Sequence, residues 1–255
     1  MYHNIFDTHA HYDDEQFNPD REELLSNLQG QGVSYVVSCG CDIETTIANR
    51  DIASRHDFFY YAAGFHPECL EGAKIEDLKR IEELANDKKC VAIGEIGLDY
   101  HWMSSPKEVQ KQFFEEQIML AKRLELPVIV HDREAHGDTL DILKKMKPNG
   151  VVHCFSGSKE MAKEVIRLGM YIGLNGVVTF NNARKSLEVA KEIPLDRLVL
   201  ETDCPYLAPV PMRGRRNDSS LIMHTAEKIA SILNIDTQEL INITESNAKR
   251  LYNIV

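Results

Sequence analysis

The sequence predicts an α/β fold, a single (β/α)8 TIM barrel, on three observations. Short β-branched runs alternate with longer amphipathic segments from end to end, about eight such units fit into 255 residues, and no Gly-x-Gly-x-x-Gly follows the first run. Alternating strands and crossover helices imply a parallel sheet. Eight units at this length favour a closed barrel over an open doubly wound sheet. Without the glycine pattern, a dinucleotide-binding sheet loses its main support.

Strands are predicted at 4–9, 34–38, 59–64, 91–94, 128–131, 150–154, 171–173 and 198–201, each a short apolar or β-branched run. Asn18-Pro19 opens an early helix. Ser105-Pro106 with Glu108 reads as a capping box with proline at the first helical position. The helix that follows carries Phe113, Phe114, Ile118, Ala121 and Leu124 three or four apart. Ile222, Ala226, Ile229, Ala230 and Leu233 repeat that spacing near the end, and an extra C-terminal helix follows. No linker, repeat array or low-complexity tract interrupts the pattern, so residues 1–255 are read as one domain.

A net charge of −11 works against binding polyanions by simple surface attraction. Any nucleic-acid chemistry then needs a local site that reverses the sign, from bound cations or clustered arginines. The cysteines at 39, 41, 69, 90, 154 and 204 contain no Cys-x-x-Cys pair and are read as reduced thiols of a cytoplasmic protein. The polar start Tyr2-His3-Asn4 is unlike an export leader, and no stretch approaches the roughly 20 apolar residues of a membrane span. No membrane partner is expected.

Histidines and carboxylates gather at the predicted strand ends. His9 and His11 close the first strand, and residues two apart on a strand point the same way. Glu95 ends the fourth strand, His131 the fifth and His153 the sixth, while Asp203 follows the eighth. Any one of these is most simply a hydrogen-bonded strand-end residue. Together they place potential ligands on five strands at the face where barrel enzymes build active sites. Four imidazoles and two carboxylates exceed the needs of one tetrahedral ion. Two divalent ions (Mg, Zn or Mn) sharing a carboxylate fit the count better, with Glu95 as the bridge. Period-two alternation turns Cys154 away from His153 toward the helix layer.

At these residues the chain resembles the TatD family of metal-dependent deoxyribonucleases, within the amidohydrolase-like barrels. The resemblance rests on Phe6-Asp7-Thr8-His9-Ala10-His11, Gly64-Phe65-His66-Pro67, Gly94-Glu95-Ile96-Gly97-Leu98-Asp99-Tyr100, His153-Cys154-Phe155-Ser156-Gly157 and Glu201-Thr202-Asp203-Cys204-Pro205-Tyr206-Leu207-Ala208-Pro209. It implies that His9, His11, Glu95 and Asp203 hold one ion and that Glu95, His131 and His153 hold the other. It also implies that His66 looks toward a substrate phosphate. Glu95 stands where many related barrels carry a modified lysine, which favours the TatD branch. The family's Lys-Arg-Asn-Glu-Pro-like stretch is replaced here by Gly214-Arg215-Arg216-Asn217-Asp218-Ser219-Ser220.

The expected reaction is phosphodiester hydrolysis by metal-activated water, on single-stranded or terminal DNA. Glu95 and Asp203 are the catalytic carboxylates, and Asp203 is either the general base or a pure ligand. His66, Arg213 and Arg215 are substrate contacts, with a solvated surface loop the alternative for the arginines. Asp7, Asp99 and Glu201 either orient the imidazoles or make ordinary strand-end hydrogen bonds. Tyr100, His101 and Trp102 either stack a base or simply pack. Two rival readings are a two-metal hydrolase of a small amide, lactone or ester, and a barrel that keeps its metals without turnover. The sequence specifies no oligomeric state and is compatible with a monomer.

Overall fold

A computed structural model describes residues 1–254. The strands are β1 (Ile5–Ala10), β2 (Val33–Cys39), β3 (Phe59–Ala63), β4 (Cys90–Asp99), β5 (Val128–Arg133), β6 (Gly150–Val152), β7 (Tyr171–Leu174) and β8 (Leu198–Leu200). Each is followed by a helix: α1 (Arg21–Leu28), α2 (Ile43–Ala53), α3 (Leu78–Ala85), α4 (Lys107–Arg123), α5 (His136–Met146), α6 (Lys159–Arg167), α7 (Arg184–Glu192) and α8 (Ile222–Leu233). One more helix, α9 (Thr237–Tyr252), ends the chain. The eight strands pair in sequence order and in parallel. The ring closes where the His11 N–H donates to the Cys204 carbonyl and the Asp203 N–H donates to the His9 carbonyl, at 2.8 and 2.9 Å. This is the predicted barrel with its additional helix.

Two apolar cores follow from strand alternation. One lies between sheet and helices and takes Ile5, Val36, Val130 and Leu200. The other fills the barrel with Phe6, Val37, Ala62, Ala92, Ile129, Val151 and Val199. Ala248, Leu251 and Tyr252 of α9 and the following Ile254 join that inner core, so the extra helix stoppers the end of the barrel away from the strand C-termini. The Tyr252 hydroxyl donates to the Thr8 carbonyl at 2.9 Å, fixing the stopper to β1.

Strict alternation fails in two strands. From Phe6 it would bring Ala10 inward, yet Ala10 packs in the outer core and a register shift falls between Asp7 and Ala10. In β4, Ala92 faces inward but Ile96 and Leu98 face outward, with a shift between Ile93 and Ile96. Each shift changes the phase of its strand and delivers His9 and His11, or Glu95, to the interior. Glu95 therefore does not end β4, which runs on to Asp99. At the start of α4, Pro106 is the cap residue rather than the first helical one. No side chain caps that end, and Gln110 instead donates to the Ser105 carbonyl.

Among the described residues no helix is long and apolar enough to cross a membrane, and all six cysteines are free.

Candidate metal centre

All six predicted ligands meet at the C-terminal mouth. His9 Nε2 and His11 Nε2 lie 3.0 Å apart. Glu95 Oε2 is 3.3 and 3.4 Å from them, and Asp203 Oδ1 is 3.5 Å from each. Ligands 2.0–2.1 Å from a tetrahedral ion stand about 3.3–3.4 Å from one another, so His9 and His11 stand from each carboxylate at the separation one ion requires. On the other side, Glu95 Oε1 is 2.8 Å from His131 Nδ1 and 2.7 Å from His153 Nε2, and those nitrogens are 3.4 Å apart. One carboxylate thus turns an oxygen to each group.

The tautomers decide what these groups can hold. His11 Nδ1 faces the Cys39 carbonyl at 3.2 Å, an acceptor only, so a neutral His11 carries its proton there and aims a bare Nε2 at two carboxylates. His131 Nε2 donates to Asp99 Oδ2 at 3.1 Å, which leaves Nδ1 bare toward Glu95. Each half of the site thus turns at least one lone pair and a carboxylate oxygen to a common point, an arrangement that fits cations. His66 is the opposite case. Its Nδ1 accepts the Glu68 N–H at 3.1 Å, so Nε2 bears a proton and points into the mouth 3.4 Å from Glu95 Oε1. His66 is built to donate.

Proton affinities follow the same electrostatics. Burial pushes the Glu95 carboxyl up, but His153, His66, His9 and His11 around it hold it well below the carboxylate range. Asp203 is likewise raised by burial and pulled far lower by His11 and His9. Burial lowers His131, yet hydrogen bonds to Asp99 and Glu95 raise it to about 9. Burial keeps His66 below its ordinary value. The carboxylates therefore draw positive charge into this cluster, which a metal ion on the imidazole lone pairs would supply in place of protons, while His66 stays neutral.

Of the three flanking carboxylates, Asp99 orients an imidazole through His131. Glu201 stands 3.7 Å from His153 Nδ1 and takes the Cys154 N–H at 2.6 Å. Gly173 makes room for it, since a Cβ there would meet Glu201 Oε2 at 2.4 Å. Asp7 touches no imidazole. It accepts from the Thr202 N–H and hydroxyl and from the Ser219 hydroxyl at 3.0, 2.6 and 2.6 Å, tying β1 to the segment after β8.

Four placements differ from the sequence reading or go beyond it. Cys154 does not turn to the helix layer: β6 stops at Val152, Cys154 has φ +43°, and its thiol is set among Asp203, Glu201, Asn175 and His9. Cys39 Sγ lies 3.3 Å from His9 Nδ1, a partner the sequence did not reveal because it comes from β2. Arg216 is committed to structure, forking onto Asp20 at 2.7 and 2.6 Å over the Phe17 ring. Arg213 lies on the Phe180 ring at 3.9 Å, and both it and Arg215 are exposed.

Comparison with known proteins points to a metal-dependent hydrolase. The family model described as TatD related DNase matches residues 6–253. The metal-dependent hydrolase YabD of Bacillus subtilis is 45% identical, over 98% of this chain and 99% of its own. The 3'-5' ssDNA/RNA exonuclease TatD of Cronobacter sakazakii is 34% identical, over 97% of each chain. The crystal structure of the TatD homologue YJJV from Escherichia coli superposes with a TM-score of 0.92 at 31% identity, over the whole of both chains. With an unbroken match across the barrel and its mouth, this chain belongs to the TatD family of metal-dependent hydrolases.

Proposed function

We propose that residues 1–255 form one catalytic domain that hydrolyses phosphodiester bonds in single-stranded or terminal DNA with two divalent cations. The observation that carries this reading is Glu95, whose two oxygens face two separate pairs of imidazole nitrogens. His9, His11, Glu95 and Asp203 would hold one cation, and Glu95, His131 and His153 the other. Imidazole and carboxylate donors together suit Zn and Mn, and serve Mg less selectively. A bound cation pair supplies an acidified water and stabilises the attacking and leaving oxygens.

The chain's own residues supply the rest. Asp203 points Oδ1 at His9 and His11, and we assign its other oxygen as acceptor of the water's proton. His66 Nε2–H donates to a phosphate oxygen, the role its tautomer prepares. Arg215 and Arg213, on the loop after β8, meet the remaining phosphate charge; Arg213 is prepositioned on Phe180. A homologue named as an ssDNA/RNA exonuclease supports the choice of a nucleic-acid strand over a small ester or amide.

The test is cleavage of end-labelled single-stranded DNA by metal-stripped protein reloaded with Mg, Mn or Zn, with bound metal counted by elemental analysis. Cleavage should appear only on reloading, at two ions per chain. DNA left intact beside turnover of a chromogenic ester would overturn the reading. Asp203→Asn should abolish cleavage, and near-normal activity would reject Asp203 as base.

A further inference from the structure

We propose that Trp102 is a stacking platform for a nucleobase of the bound strand and that Arg133 beside it takes the adjoining phosphate. This rests on the nuclease reading of the same mouth and extends it from the reacting bond to the neighbouring nucleotide.

Trp102 is the single tryptophan of the chain and is 59% exposed, although an indole is a residue that folding usually covers. It stands in the loop after β4, at the ligand-bearing end of the barrel. Its position is fixed. The backbone N–H groups of His101 and Trp102 both donate to Asp99 Oδ1, at 2.9 and 2.8 Å. The other Asp99 oxygen accepts from His131 Nε2 at 3.1 Å, so one carboxylate holds both the loop and an imidazole of the metal centre. The His101 ring abuts the indole edge-on at 4.8 Å and is itself held by Glu134 at 2.8 Å. Arg133, from the end of β5, sets its guanidinium loosely over one face of the indole, 5.5 Å from the centroid, so a base would take the opposite face.

Chemistry then chooses the occupant. A planar aromatic face accepts any base, and a guanidinium matches phosphate oxygens, so the pair suits a nucleotide. A protein of net charge −11 gains little from general attraction to a polyanion, so base stacking adds affinity that does not depend on it. Neighbouring Tyr100 is not available in the same way. Its hydroxyl is tied to Asp138 at 2.6 Å and Lys107 covers its ring at 3.9 Å.

With one tryptophan, fluorescence excited at the red edge, where the nine tyrosines do not absorb, reports Trp102 alone. The experiment titrates the metal-loaded protein with a cleavage-resistant phosphorothioate oligothymidylate and with an abasic strand of equal length and charge. Quenching by the base-bearing strand and none by the abasic one is expected. In cleavage assays Trp102→Ala should raise KM for single-stranded DNA about tenfold, with kcat within about twofold, and leave abasic strands unaffected. Equal quenching by both strands, or an unchanged KM in a protein that cleaves DNA, would overturn the platform. No cleavage by the parent protein would instead overturn the nuclease reading. In that event base-selective quenching would keep Trp102 as a base-binding site, and flat fluorescence would remove it as well.

Discussion

Histidines of one mouth are given opposite jobs by what lies behind them. His131 is held from outside by Asp99, which puts its bare nitrogen inward; His66 accepts a backbone N–H, which puts its proton inward. The two rings are neighbours, with centroids 4.4 Å apart, so distance alone would not separate them. Replacing them should. His131→Ala should lose bound cation in elemental analysis. His66→Ala should keep its full complement while kcat/KM falls about 100-fold, the usual cost of one charge-stabilising donor. Loss of cation from both variants would show that His66 is a ligand.

At the scale of strands and loops, the mouth is held by polar ties that reach across the chain. Asp7 is the clearest. It is fully buried, and burial, partly offset by hydrogen bonds from Ser219 and Thr202, raises its carboxyl to about 7. Asp7→Ala would strand the hydroxyls of Thr202 and Ser219 and the Thr202 N–H. We expect about 2–4 kcal/mol of lost stability, read from the denaturant midpoint, with the cation sites still formed in the folded fraction. The sequence made the strands legible through their β-branched runs and the ligands legible through their recurrence at strand ends. It hid the two phase shifts, because Phe6 to His9 and Ala92 to Glu95 are odd spacings that simple alternation sends to opposite faces. It also hid the fate of Cys154, which turns with a left-handed backbone after β6 has ended. Nor could local pattern separate Arg216 from Arg215, since the difference lies in Asp20, which the fold brings from far away.

For the molecule as a whole, charge sets how a strand is captured. A binder that works through a basic surface releases many counterions and loses affinity steeply with salt. This chain carries −11, and on the proposed reading the positive charge in its mouth would come from bound cations and a few arginines. The plot of log(1/KM) against log salt for single-stranded DNA should therefore have a shallow slope, of magnitude below about 2. A slope steeper than about −4 would reveal a basic footprint elsewhere on the surface.

The helix that stoppers the barrel has a bearing on folding order. Leu251, Tyr252 and Ile254 follow all eight strands in the chain, yet they belong to the innermost core. A ring of strands without them would leave the lower end of its lumen open to water, with Phe6, Val37 and Val199 short of apolar partners. Docking of this helix, rather than the pairing of any two neighbouring strands, is thus the step that would dry the interior.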